Sequence, residues 1–254
     1  MARIVKEADE RRNEILDAAE TLITEKGYSK TTIIDILNQV GIAKGTFYYY
    51  FKSKEEVMDA IIERFIEQDV QKARLIAMDK SISPVRKICR IIAAGQPRTD
   101  GPKDRMIEEF HLPANALMHE KSIVRSILAL SPILGQVVSQ GVEQHIFSTE
   151  YPLEAIQILL ASGQVLFDSS MFAWTPAEME QKVNGFIAAM EAVLGAEAGT
   201  FEPMKQILAA RNTIAPESCQ KPESHQKPQP RSGRDFHSSY SRCHDAAFRH
   251  QLHV

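Results

Sequence analysis

Phenols, ammonium groups and apolar rings crowd the stretch GIAKGTFYYYFKSK, Gly41 to Lys54, which holds five aromatic residues in a chain that is 7% aromatic. Phenol hydroxyls and lysine ammoniums donate to phosphate oxygens, and ring faces cover sugars and thymine methyls. The chemistry on offer is that of gripping a nucleic acid. Wound as a helix at ~100° per residue, Ala43, Phe47 and Phe51 stack on one face and read as core anchors. Lys44 and Tyr48 fall on an adjacent face with Gly45 beside them. Thr46 and Tyr50 fall on the other side, and Tyr49 turns away between. The tyrosines are thus left pointing outward, flanked by Lys44, Lys52 and Lys54. Gly45 lets a phosphate come close to the helix start, where unpaired N–H groups favour an anion. Taken alone, the run also fits a tyrosine cluster packed on a neighbouring helix.

Other chemistry is thinner. Glu108 and His111 form one Glu-x-x-His pattern, with Glu109, His119 and Glu120 close by. A di-iron bundle needs that motif twice, and His145 after Glu143 has the wrong spacing to supply the second copy. No nucleophile motif, glycine-rich phosphate loop or His-Glu-x-x-His appears. No catalytic residue, metal or cofactor is therefore expected, with a helical metal or enzyme bundle as the rival class. Cys219, His225, His237, Cys243 and His244 match no defined metal spacing.

The elements that must position the aromatic run read as helices. Ile15, Ala18, Ala19, Leu22 and Ile23 repeat at three and four, which predicts a helix over 7–25 ended by Gly27. Thr31 or Thr32 caps the next one, with Asp35 completing a capping box, and Ile33, Ile36, Leu37 and Val40 share a face before Gly41 breaks it. A two-turn helix begins at Ala43. Ser53 and Glu56 read as a second capping box, opening a long helix with Val57, Ile61, Phe65 and Ile66 along one side. Further helices are expected after Pro84 and Pro102, over 121–147, and after Pro152 and Pro176, each proline standing where a first turn tolerates it. With no period-2 strand, the chain is expected to be all-α. Two short helices joined through a glycine turn form a helix-turn-helix, whose second helix docks in the major groove.

Composition sets the limits. The 254 residues are 44% hydrophobic and 25% charged, ordinary for a globular protein with a sizeable core. The formal net charge of −3 does not announce a nucleic-acid binder. It is uneven, however: Met1–Lys54 carries a net +1, residues 55–211 a net −6, and 212–254 a net +2. A near-neutral head on an acidic body permits a DNA-facing end. Three unpaired cysteines give no disulfide framework, so a reducing cytosol is the expected compartment. The N-terminus lacks the apolar core of a signal peptide, and no apolar run is long enough to predict a membrane span. From about Asn212 the sequence turns rich in Pro, Ser and Gln and is expected to be a disordered tail.

The stretch from Gly27 to Ile61 resembles the DNA-binding domain of the tetracycline-repressor (TetR) family. The markers are Gly27-Tyr28, Thr31-Thr32, Asp35-Ile36, Gly41-Ile42, Lys44-Gly45 and the ending Tyr48, Tyr50-Phe51, Lys52, Ser53-Lys54-Glu55. Leu37 stands where the family usually has alanine, and Tyr50 where histidine is common. The resemblance implies an N-terminal three-helix DNA-binding domain over 1–54 and a helical effector-binding and dimerisation domain over 55–211. It further implies DNA contacts from Thr32, Lys44, Gly45, Thr46, Tyr48, Tyr49, Tyr50 and Lys54.

Two expectations concern the body. Ala161, Ser162 and Gly163, with Gly185, Ala188, Ala189 and Ala192, place small residues on the last two predicted helices. This suits a four-helix dimer interface, plain intramolecular packing being the other reading. Met106, Phe110, His111, Met118, Phe147, Phe172 and Trp174 are the candidate lining of a small-molecule pocket, near a helix break at Pro113, although such residues also make ordinary core. The expected partners are double-stranded DNA with a palindromic operator, a small, largely apolar effector, and a second copy of the chain. A ligand-independent dimeric DNA-binding protein is the alternative.

Overall fold

Five apolar residues on one stripe, Ile15, Leu16, Ala18, Ala19 and Ile23, are the buried face of α1, Ala8–Lys26. The computed structural model describes residues 8–96, 106–109 and 111–210. Gly27 ends α1 at φ 86°, a left-handed conformation that costs an L side chain and suits glycine. The buried Thr31 then donates its hydroxyl to the Gly27 carbonyl, tightening the turn. Thr32 takes the N-cap of α2, Ile33–Val40. The Asp35 N–H donates to its hydroxyl, while the Asp35 carboxylate accepts from its backbone N–H and its hydroxyl. Gly41 closes α2 at φ 72°. The recognition candidate, α3, spans Lys44–Tyr50.

Ser53 caps α4, Lys54–Met78, by accepting from the Glu56 N–H. The return half of the expected capping box is shifted by one residue, since the Glu56 carboxylate accepts from the Lys52 N–H. α4 runs unbroken from head to body. It is tied to α1 where Arg64 bridges Asp17 and Glu20. α5 spans Pro84–Gly95 behind a Ser83 cap. A helical stretch at 106–109 and a 3-10 turn at Pro113–Asn115 lead into α6, Ala116–Glu143. α7 covers Pro152–Leu166, α8 covers Pro176–Leu194 with a full Thr175–Glu178 capping box, and α9 covers Met204–Ala210.

The chain is all-α, with no strand among the described residues. The head (α1 to α3) packs through α1 against α4. In the body, α6 lies among α4, α5 and α7, while α8 packs on α7 and on α9, which reaches back to α5. One continuous core runs through both parts, from Phe47 and Phe51 in the head to Leu134, Val137 and Phe167 in the body.

Several boundaries differ from the sequence expectation. The helix expected after Pro152, α7, stops at Leu166, because the Asp168 carboxylate accepts from both the Ser170 N–H and the Ser170 hydroxyl and turns the chain. α6 starts one turn earlier and stops at Glu143, where the Gly141 carbonyl accepts from the N–H groups of Ile146 and Phe147. α9 carried no sequence signal of its own. α6 is also long and apolar enough to cross a membrane by length and composition. Its Leu134, Val137 and Val138 are buried against protein, its Arg125 pairs with Asp59 of α4 at 3.2 Å, and its N-terminal half leaves Leu117, Val124 and Leu128 exposed. The tail, with Cys219, His225, His237, Cys243 and His244, lies outside the described residues.

Candidate functional site

α3 sorts its aromatics by burial. Phe47 is 0% exposed and Phe51 is 2% exposed, whereas Tyr48 is 44% and Tyr49 78% exposed. Phe47 and Phe51 lie 6.1 Å apart between ring centres, and the Arg12 guanidinium sits 5.2 Å from the Phe51 ring. Burying two such rings contributes roughly 1.5–3 kcal/mol each, ample to pin a two-turn helix that could not hold itself in water. Ala43 is not the third anchor. It is the extended N-cap (φ −74°, ψ 152°) and is exposed, so the buried stripe begins at Phe47.

Lys44, Gly45, Tyr48 and Tyr49 form the open surface of α3. The Lys44 ammonium stands 5.8 Å over the Tyr48 ring, on the exposed side of the helix. A Cβ placed on Gly45 would meet nothing within 4 Å, so nothing inside the protein demands glycine there. Thr46 and Tyr50 are half-buried; Tyr50 packs against the core edge and meets Tyr49 edge-on at 4.9 Å. Thr32 is exposed at the start of α2, its hydroxyl engaged by Asp35. Lys54 is placed differently from its expected role. Its ammonium donates to the carbonyls of Tyr28 at 2.9 Å and Thr31 at 3.0 Å and lies 4.1 Å from the Tyr28 ring. Two of its three hydrogens thus brace the α1–α2 turn, leaving one for any outside acceptor.

The body holds a cavity of about 290 Å³. α4 supplies Ile62, Phe65 and Ile66, α5 supplies Ile88, Ile91 and Ile92, and Phe167 closes the wall at the end of α7. Polar lining includes Gln96, Gln164, His111 and His119, together with the acidic residues Asp69 and Glu108. Apolar walls with sparse polar groups suit a small, mostly apolar molecule. Of the described residues in the expected lining, only His111 borders this space. Met106 is wholly buried in the core, Met118 packs beside the core, and Phe147 fills a notch over Gly141 while stacking on Phe201 at 5.8 Å. Phe172 and Trp174 stack on each other at 4.9 Å, with the Lys182 ammonium over the indole and the indole N–H donating to the Leu166 carbonyl. Phe110 lies outside the described residues. The missed lining had a partial signal, since Ile88, Ile91 and Ile92 recur at helical spacing, but periodicity cannot separate a cavity wall from a packed core.

Asp168, also unforeseen, is 3% exposed and joins His119 by a short hydrogen bond, with His111 Nε2 at 3.8 Å. Burial alone would raise its carboxyl. The hydrogen bonds from His119 and Ser170, with His111 beside them, outweigh burial and hold it well below the usual carboxylate range. The same segment touches the head. The Glu109 carboxylate accepts from the Tyr28 N–H at 2.8 Å, and the buried Asn115 amide holds the Glu109 carbonyl at 2.7 Å.

Residues 15–61 match the model of bacterial regulatory proteins, tetR family, and residues 102–189 match the tetracyclin repressor-like C-terminal domain. The transcriptional repressor KstR2 of Mycobacterium tuberculosis is 32% identical over 88 residues, which is 35% of this chain and 44% of that protein. KstR2 of Rhodococcus jostii is 42% identical over 66 residues, 26% of this chain and 32% of that one. The chain thus spans less than half the length of these curated relatives. Among solved structures, SmeT, the repressor of the Stenotrophomonas maltophilia multidrug efflux pump SmeDEF, superposes with a TM-score of 0.52 at 21% identity, over 75% of this chain and 92% of that one. RolR in complex with resorcinol gives 0.54 at 20% identity, over 79% and 93%. A head model and a body model of one family fall in order on two parts of a shared helical fold, and the chain belongs to the tetR family of bacterial regulatory proteins.

Proposed function

We propose that this protein is a homodimeric, sequence-specific transcriptional repressor that holds a palindromic operator with α3 and releases it when a small, largely apolar ligand fills the body cavity. The observation that carries the reading is α3 itself, anchored by Phe47 and Phe51 and exposing Lys44, Gly45, Tyr48 and Tyr49. Residues 1–54 act as the DNA-binding domain and 55–211 as the effector-binding and dimerisation domain. Thr32, Thr46 and Tyr50 flank the contact face, and Lys54 positions the turn that leads into α2.

The dimer reading is supported by Gly185, Ala188, Ala189 and Ala192 of α8, all exposed on the single chain, with Ile158 and Val165 of α7. A Cβ on Gly185 would meet nothing within 4 Å, so its smallness serves no internal packing. Gly163 belongs to the other reading: a Cβ there would press on the Phe186 ring at 3.1 Å. Two such subunits place two recognition helices on successive faces of a duplex.

The link to ligand runs through α4, which lines the cavity with Ile62, Phe65 and Ile66 and is separated from α3 by three residues. A ligand that favours a tilted α4 moves α3, and a differential affinity of ~1–3 kcal/mol is typical of such coupling. Two fold relatives are complexes with small aromatic molecules, resorcinol and triclosan. The test is selection of bound duplexes from a random library, followed by screening small aromatic and aliphatic compounds for release of the selected duplex. Enrichment of a palindrome and release by a compound support the proposal. A chain that enriches no sequence contradicts it, and a cavity that accepts ligands without changing DNA affinity favours the ligand-independent alternative.

A further inference from the structure

We propose that His111, His119 and Asp168 form a site for one divalent transition-metal ion in the wall of the body cavity. One ligand atom from each residue lies within 4.8 Å of the others. The two imidazoles meet edge-on, 5.0 Å apart at 82°, and both turn Nε2 toward the Asp168 carboxylate. His111 follows the 106–109 helical stretch, His119 sits in the first turn of α6, and Asp168 lies just past α7. Three separate elements therefore deliver their donors to one point.

Metal–nitrogen and metal–oxygen bonds of about 2.0–2.2 Å place neighbouring tetrahedral ligand atoms roughly 3.3–3.6 Å apart. His111 Nε2, at 3.8 Å from Asp168 Oδ1, is already near that spacing. His119 and the carboxylate, now in hydrogen-bond contact, must part by about an ångström. The ion takes the place of the hydrogen bond between them, and His119 must then present the Nε2 lone pair to the metal. Ser170 steadies the carboxylate from outside, donating its N–H at 2.8 Å and its hydroxyl at 2.6 Å to Oδ1. Outer partners of this kind fix a ligating carboxylate and are part of a built site. A bare hydrogen-bonded histidine–aspartate pair would need only one imidazole; here two converge on a buried acid.

Two imidazoles and one carboxylate suit zinc, cobalt, nickel or iron(II) better than magnesium or calcium, which prefer oxygen. Three protein ligands leave at least one coordination position open. His111 and His119 both line the cavity, so the open position faces the space where a ligand would sit. His111 also stands two residues from Glu109, the residue that accepts from the Tyr28 N–H of the head. Drawing His111 onto a metal therefore acts on the segment that touches the DNA-binding part. That second consequence rests on the function proposed above, whereas metal binding does not.

The test uses the full chain after chelator treatment, titrated with Co2+ and with Zn2+. The expected result is one ion per chain, the visible absorption of low-symmetry Co2+, and a raised melting temperature with Zn2+. His111→Ala, His119→Ala and Asp168→Asn should each weaken uptake at least a hundredfold, and Ser170→Ala about tenfold, since outer-partner changes cost about 10–100-fold. His111→Ala, on a half-buried residue, keeps the test open if a core variant fails to fold. No stoichiometric uptake, or uptake that survives His111→Ala and Asp168→Asn unchanged, overturns the assignment. The latter result would place the ion elsewhere, for example among the cysteines and histidines after residue 212.

Discussion

Replacing Glu109 by alanine should loosen the turn that joins α1 to α2 without unfolding the head. In the parent the Glu109 carboxylate accepts from the Tyr28 N–H at 2.8 Å, while Lys54 holds the Tyr28 carbonyl at 2.9 Å from the other side. A hydrogen bond to a charged acceptor is worth about 1.5–3 kcal/mol, and Glu109 is half-buried, so about 1.5 kcal/mol is the working value. That corresponds to about a tenfold shift in the local opening equilibrium. Amide hydrogen exchange followed by NMR should show Tyr28 exchanging about ten times faster in Glu109→Ala, and by a smaller factor in Glu109→Gln, which keeps a neutral acceptor. The Phe47 amide, inside α3, should keep its protection. Unchanged exchange at Tyr28 would refute the claim that residues 106–115 grip the head. Uniformly faster exchange throughout the head would show a global loss of stability instead. The same variant sets a ceiling on communication, because a contact of this size cannot transmit more than about a tenfold change in DNA affinity by itself.

Three further outcomes follow from individual contacts. Gly141→Ala puts a methyl into the Phe147 ring and should lower stability by about 1–3 kcal/mol in chemical denaturation. Asp35 has its pKa lowered from 3.8 to about 2 by hydrogen bonds from Lys26 and Thr32. A depressed folded pKa gives stability that is complete above about 4 and lost as pH falls through about 2, so Asp35→Asn should flatten the acid limb of a stability–pH curve in that window and leave the neutral region sloped as in the parent. Ala189→Arg, at an exposed position of α8, should keep the helical spectrum while shifting sedimentation from dimer to monomer. A dimer that persists places the interface on another face.

The head was legible because its instructions are local. Gly27 and Gly41 take left-handed turns, Thr32 and Asp35 cap within three residues of each other, and Phe47 and Phe51 share a stripe four residues apart. Even there Ala43 was misplaced, since an N-cap is extended and falls off the helical wheel. The body resisted because its cavity is assembled from every helix from α4 to α9, and no local pattern records which apolar residues face a void. Phe172 and Trp174 were drawn into the pocket expectation by type. The chain instead turns at Asp168 and Ser170, and the two rings stack on each other away from the cavity. Asp168 could not be paired with His119, 49 positions away, by any spacing rule. The sequence offered only a single Glu-x-x-His; that His111 and His119 meet an acid from the turn after α7 is recorded by no local pattern.

The central claim is that the open face of α3 holds duplex DNA, and the most direct measurement is titration of a selected duplex by fluorescence anisotropy across a range of salt concentrations. Lys44→Ala should weaken binding across sequences and reduce the salt slope by about one, as loss of a single phosphate contact does. Tyr48→Ala should weaken binding with little change in slope, and both variants should melt like the parent because neither side chain is buried. Parent-like affinity and slope in both variants would contradict the account.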